Sequence, residues 1–348
     1  AIQGLYAWCQ RIDTEKNVPK WLPDSITQQF PQLFEHATGA KYYSTQFDDA
    51  KLAKVGRMPY LKNLTITESN ITNAGLFPIR HLTQLRELDL HANRIGDEGI
   101  EFLSDMTELK HLYLNGTQVT GAGFSHLAEL KHLEILDLSN TPFNDSGAVH
   151  LDVYSNLISL KLNQTHIGDA GMPFLRGLTK LKKLNLSETR IADVGMSSLA
   201  GMTDLTFLDL RATRVGDAGL RHLGKLTRLQ TLDLKLTQVS GSGFDSLGGL
   251  TNLSQLTLSG APVSAAGMVE LAKLPGLRFI DVSHTPLDDA GLTALTRLPL
   301  LQAIDMDHTA VTDSGVAEHK WILRLQSIPS RRTAVTAAAH SDPLPTPQ

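Results

Sequence analysis

LTFLDLRATRVGDAGLRHLGKLTR, residues 205–228, changes its apolar period part-way along. Leu208 and Leu210 alternate with Phe207 and Asp209, the period of a strand, whereas Leu220, Leu223 and Leu226 recur every three residues, as on one face of a helix. A single unit of this kind has nothing to bury its leucines against. The register repeats every 24 residues without insertion or deletion, with Leu in the first position from Leu61 to Leu301, and LRELDLHANRIGDEGIEFLSDMTE from Leu85 is another copy. The period predicts a coil of strand, turn and helix, stacked on its neighbours so that each strand pairs with the next and the leucines merge into one core.

The fold class that follows is α/β: a curved, horseshoe-like solenoid of 24-residue coils with a concave parallel sheet and helices outside. Thr or a close substitute fills the ninth position in most coils, as at Thr117, Thr165 and Thr213, with Asn93 in one of them. Such side chains suit backbone groups left unpaired where a strand ends. Gly recurs in the fifteenth position, as at Gly99, Gly219 and Gly291, where the chain enters the outer helix. The preceding acids and hydroxyls, as in Thr312-Asp313, read as caps for that terminus.

The whole chain has 348 residues, 41% hydrophobic and 20% charged, a balance that supports a packed body. Lys and Arg number 32 against 36 Asp and Glu, giving a net charge of −4, which argues against a general nucleic-acid binder. One cysteine, Cys9, excludes an intramolecular disulfide and a CxxC metal site. No apolar run reaches the roughly 18 residues of a membrane span. Three segments result. Residues 1–36, rich in apolar side chains such as Trp8, Trp21 and Phe30, are expected to form a mostly helical cap. Residues 37–336 are the repeat domain, with degenerate end coils at 37–60 and 325–336, and Pro329 suits the latter as an edge strand. Residues 337–348 read as a mobile tail, and Trp321 and Ile322 as end-cap packing.

In the first degenerate coil the register assigns structural positions to Tyr42, Thr45, Phe47 and Leu52. The pattern LxxLxLxxTxVTDAGLxxL, close to LKKLNLSETRIADVGMSSL and LQAIDMDHTAVTDSGV in this chain, resembles bacterial leucine-rich repeats, especially the planctomycete type. WLPDSITQQFPQLF, ahead of the repeats, is similar to the helical segment that precedes them in such proteins. The resemblance covers about 37–336 and implies recognition of a partner. Relatives can carry an upstream export segment or anchor, so the resemblance leaves an exported, surface-anchored protein and a cytoplasmic one both open.

Residues in the third, fifth, seventh, eighth and tenth positions are expected on the concave side, where equivalent residues of adjacent coils stand about 4.8 Å apart. The fifth-position ladder includes Asp89, Tyr113, Asp137, Asp209, Asp233, Asp281 and Asp305, and these aspartates suit a basic partner patch. A central group joins Phe207 and Leu236 to Lys183, Arg190, Arg211, Arg214 and Lys235, a mixture of charge and apolar area suited to protein binding. A third group holds Phe279, Asp281, His284, Asp305, Asp307 and His308, with both histidines in the same position of adjacent coils. No P-loop or HExxH helix is present, and the sequence by itself assigns no Ser-His-Asp ordering, which needs proximity in space.

The leading expectation is therefore a non-enzymatic scaffold binding a protein or peptide through the concave sheet, with no cofactor and no metal. The alternative is an accessory substrate-binding domain of a larger enzyme or assembly. Metal-assisted chemistry in the 281–308 patch is a weaker reading.

Overall fold

The computed structural model describes residues 38–43 and 45–319, and the chain divides into two compact units, Ala1–Ile167 and Gly168–Gln348. In the first, the described strands are β1 (Gly39–Tyr43), β2 (Asn63–Thr67), β3 (Glu87–Asp89), β4 (His111–Tyr113), β5 (Ile135–Asp137) and β6 (Ser159–Lys161). In the second they are β7 (Lys183–Asn185), β8 (Phe207–Asp209), β9 (Thr231–Asp233), β10 (Gln255–Thr257), β11 (Phe279–Asp281) and β12 (Ala303–Asp305). Within the first unit Glu87 of β3 lies opposite His111 of β4, and within the second Phe207 of β8 lies opposite Thr231 of β9. The pairing is parallel and each step is one repeat. Within each unit this is the stack of strand-turn-helix coils that the period predicts.

The core follows the register. Leu184, Leu208 and Leu232 in the fourth position and Leu186, Leu210 and Leu234 in the sixth are fully buried, as are Leu220, Leu223 and Leu226 from the far side of their coil. Ninth-position hydroxyls stay inside the turn: Thr213 Oγ1 donates to the Leu210 carbonyl at 2.6 Å, and Thr165 Oγ1 does the same to Leu162 at 2.6 Å. Asn93 reaches further. Its Nδ2 donates to the carbonyls of Ile66 and Leu90 at 2.7 and 3.0 Å, and its Oδ1 accepts the Ile71 amide at 3.2 Å, tying two coils together.

β1 pairs with β2, Gly39 opposite Asn63, and Phe47 and Leu52 are buried. Tyr42 stacks on Phe47 with ring centroids 4.3 Å apart, and burial pushes its phenol up to about 12. Thr45 differs from expectation, being exposed and offering its carbonyl to Asn70 Nδ2. The cap expected at 1–36 with Cys9, Trp321, Ile322, the coil at 325–336 and the tail at 337–348 lie outside the described residues.

The back of each coil adds one feature to the sequence reading and corrects another. The helices there are short, such as Asp217–Leu220, or are 3-10 turns, such as Ala122–His126 and Phe244–Gly249. Strands pair about 4.8 Å apart, whereas a packed α-helix is about 10 Å across, so coils in sheet register leave little width for full helices behind. The thirteenth-position acids also cap a different helix from the one they begin. Asp217 Oδ1 accepts the amides of Gly241 and Gly243 at 3.0 and 3.1 Å, and its Oδ2 accepts from the Ser240 amide and hydroxyl at 3.2 and 2.5 Å. Asp97 and Asp193 likewise reach amides of the coil that follows them. Burial opposes ionisation of Asp217, but hydrogen bonds from Ser240, Gly243 and Ser242 outweigh it and hold the carboxyl below its ordinary range.

Where that acid is missing, the next coil caps itself. Gly121, Gly241 and Ala265 stand in the thirteenth position, and in the coils after them Asn144, Ser264 and Asp288 accept from their own helix amides. Both arrangements satisfy the same orphan donors. Asp193→Ala is therefore expected to destabilise the second unit by roughly 1–2 kcal/mol. Adding Gly216→Ser, at an extended position with φ −121°, should recover part of the loss by supplying the cap within the coil. Urea unfolding of the single and double variants checks this; equal midpoints for the two would refute the exchange of one cap for the other.

Candidate functional site

Strands of three residues leave their first and last side chains pointing away from the core, and these build the open face of the sheet. On β8 Leu208 is buried whereas Phe207 is half-buried beside it. Beyond each strand the eighth residue adopts the left-handed conformation, with φ of 54° at Ala92, 57° at Gln164, 55° at Glu188, 55° at Leu236, 55° at His284 and 57° at His308. Side chains of many kinds occupy this position, so composition alone does not reveal it. The left-handed step throws the eighth and tenth residues outward and returns the ninth to the core, forming a rim beside the sheet face.

The fifth-position aspartates are committed to this bend. Asp89, Asp137, Asp209, Asp233, Asp281 and Asp305 each accept the amide two residues on through Oδ1, at 2.9 to 3.1 Å. Asn185 does the same at 2.9 Å, so the bond needs the oxygen and not the charge. Asp137 and Asp209 are buried, at 4% and 5% exposure, where the sequence reading has them facing solvent. Their outer oxygens meet Lys161 Nζ at 2.9 Å and Arg211 Nη2 at 3.4 Å.

In the first unit the face gathers Glu87 and Asp89 with His91, His111 and Tyr113. His91 Nδ1 lies 3.0 Å from Asp89, and His111 Nδ1 lies 3.6 Å from Glu87. Burial, followed by the charges of Glu87, Asp89 and Asp137, pushes the Tyr113 phenol up from its ordinary value. Tyr113 and Ile135 are half-buried and supply apolar area to this face.

In the second unit the residues grouped by sequence separate into two zones. Lys183 opens its strand, whereas Arg190 and Arg214 follow the bend on the rim and are exposed. Arg211 and Lys235 stand in the seventh position, half-buried, beside exposed Leu236. Farther along the same unit, the His284 and His308 rings stack with centroids 4.2 Å apart and an interplanar angle of 14°. Phe279 is half-buried beside Asp281, and Asp305 and Asp307 are half-buried near the ring pair. Among the described residues no group of three or more His, Cys, Asp or Glu side chains could hold a metal ion, which gives the metal-assisted reading of this patch no ligand set. Among the described residues, too, no helix is long and apolar enough to cross a membrane.

Burial pushes the carboxyls of Asp233 and Asp305 above their ordinary range. At Asp233 the Lys235 amide opposes the shift and the Asp209 charge adds to it. At Asp305 the Asp307 amide opposes it, while Asp281 and Asp307 add to it. A raised carboxyl binds its proton more tightly in the folded chain, so its contribution to stability is present at low pH and is lost as pH rises through the folded pKa. Asp305→Asn keeps an oxygen for the Asp307 amide, as Asn185 does for Ser187, and removes the charge. The variant is expected to unfold at a higher midpoint than the parent at neutral pH, with the difference shrinking as the pH falls into the carboxylate range. Thermal melts across that range check the sign, and a lower midpoint at neutral pH would show that the ionised form is the one the fold needs.

A family model described as a leucine-rich repeat region matches residues 60–328. No curated protein matches. Among solved structures, an internalin (inlF) of Listeria monocytogenes is 21% identical with a TM-score of 0.67, over 95% of this chain and 94% of that one. A leucine-rich repeat protein of Leptospira interrogans is 16% identical with a TM-score of 0.63, over 94% and 96%. The functional domain of InlJ from Listeria monocytogenes, which includes a cysteine ladder, is 16% identical with a TM-score of 0.56, over 88% and 70%. With Cys9 as its one cysteine, the present chain has no counterpart to that ladder. At these identities the likeness is one of fold.

Proposed function

Because the chain belongs to the leucine-rich repeat region family, we propose that it is a non-enzymatic scaffold that recognises a protein or peptide through the open face of its sheet. One observation carries this reading: charged, aromatic and aliphatic side chains are held in ladders about 4.8 Å apart on a backbone fixed by buried leucines and caps. Such a face is preorganised, so little ordering is needed when a partner spreads across several coils. Half-buried Tyr113 on the face of the first unit, and Phe207 and Phe279 on that of the second, provide apolar contacts, and the charged ladders set register. The 24-residue period with its recurring Asp-x-Gly further supports placing the chain with the bacterial, planctomycete-type repeats.

The test is capture of partners from an extract of the source organism by the full chain and by an Arg211→Gln/Lys235→Gln variant whose melting is first shown to be unchanged. A protein held by the parent and lost from the variant is the expected result. Equal capture by both removes the central part of the face from the account.

A further inference from the structure

The described cations of the second unit are not spread evenly along its rim. Arg190 and Arg214 occupy the tenth position of adjacent coils, and Arg211 and Lys235 the seventh position of adjacent coils. The equivalent places in the following coils hold Ser259 and Pro262, then Ser283 and Pro286, then Asp307 and Ala310. Arg190 and Arg214 are exposed, and among the described residues neither makes an ion pair. Two like charges about one strand spacing apart repel each other and gain from an anion between them.

Arg211 is poorly satisfied where it lies. Its Nη2 reaches Asp209 Oδ2 at 3.4 Å, at the edge of hydrogen-bonding range, and its Nε is buried without a partner among the described residues. Swinging toward an outside carboxylate would lose it little. Leu236 marks the end of this zone. It is 55% exposed and sits in the left-handed region at φ 55°, a conformation unfavourable to a bulky side chain. Its Cδ2 leans over Gly260, where a Cβ would meet it at 2.6 Å, so the leucine forms an apolar wall at one end of the basic rim.

We propose that this rim binds an acidic segment of a partner protein, with carboxylates on Arg190, Arg211, Arg214 and Lys235 and an apolar side chain against Leu236. From the coil of Arg190 to that of Leu236 is two strand spacings, about 10 Å, which an extended chain covers in roughly three residues. The recognised segment therefore places an apolar residue about three positions from its acids. Charge complementarity favours such a peptide over a nucleic acid, since no exposed aromatic series accompanies the cations for bases to stack on. This inference rests on the sheet-face reading above and names the chemistry of its partner.

The test is selection from a random-sequence peptide display library against the full chain. Peptides with acids and an apolar residue at that spacing are expected to be enriched. Their affinity should fall about tenfold or more in Arg190→Glu/Arg214→Glu and should weaken as salt rises. Leu236→Asn, which relieves the left-handed strain and so keeps the fold, should also weaken them, with the salt dependence unchanged. Acidic peptides indifferent to the charge reversal would overturn the placement. So would an oligonucleotide that binds the rim when no acidic peptide is enriched. If the enriched peptides lack acids but lose binding in Thr231→Trp on the sheet face, the acidic assignment falls and the sheet-face reading stands. If no peptide is enriched, or none responds to any of these changes, both fall.

Discussion

Leu208→Ala is expected to destabilise the Gly168–Gln348 unit by roughly 3–4 kcal/mol. Leu208 is fully buried, and the register sets it between Leu184 and Leu232, which are fully buried too. Removing its isobutyl group loses the transfer free energy of the side chain and leaves a cavity, because the flanking coils are pinned by their strand pairing and cannot close over it. In a stack of coils the damage should also be local. Amides of β7, β8 and β9 should exchange faster than those of β11 and β12, since each coil is stabilised through its immediate neighbours. Urea unfolding with residue-resolved hydrogen exchange reads both effects. A loss below about 1 kcal/mol would mean that the core is loose enough to refill the space.

Gly243→Ala should cost nearly as much, roughly 3 kcal/mol, for the opposite reason. A Cβ at this position would stand 2.5 Å from the Asp217 carbonyl oxygen and 3.0 Å from its Cα. Both are backbone atoms of the preceding coil and cannot rotate away. Relief requires the coils to part, which also lengthens the bonds from the Gly241 and Gly243 amides to the Asp217 carboxylate. Gly243 has φ −96°, so the penalty is steric contact and not backbone conformation. Thermal melts of this variant beside Gly248→Ala, where a Cβ would meet nothing within 4 Å, separate close approach from a general effect of adding a methyl group. Similar midpoints for the two would contradict the argument.

The period of 24 made the strands and the core readable because every leucine recurs at the same phase, and ahead of Leu61 the same register marked Phe47 and Leu52, both of which are buried. Other features were hidden because they act between coils. The Asp193 carboxylate bonds amides 23 and 26 residues on, a separation that no local capping motif describes. The left-handed eighth position holds Ala, Gln, Glu, Leu and His as well as Asn140, Gly116 and Gly260, so glycine marks it in only some coils, and the bend is set by the pairing around it. The committed aspartates left a trace in Asp137-x-Ser139 and Asp281-x-Ser283, where hydroxyl and amide both bond the same carboxylate oxygen. Read as an Asx turn, that spacing marks loop-forming carboxylates in the sequence itself. The split of the central cations between strand start and rim followed from the bend, and so could not be read without it.

A partner bound to the open sheet face leaves the back of the coils free. A photo-reactive cross-linking residue can replace Gln255, exposed in the third position of its coil at the start of β10, or Lys225, exposed on the back of its coil, each in the full chain. Irradiation in an extract of the source organism is expected to give a specific adduct from position 255 and none from position 225. An adduct from position 225 alone would place recognition on the back of the coils and contradict the account.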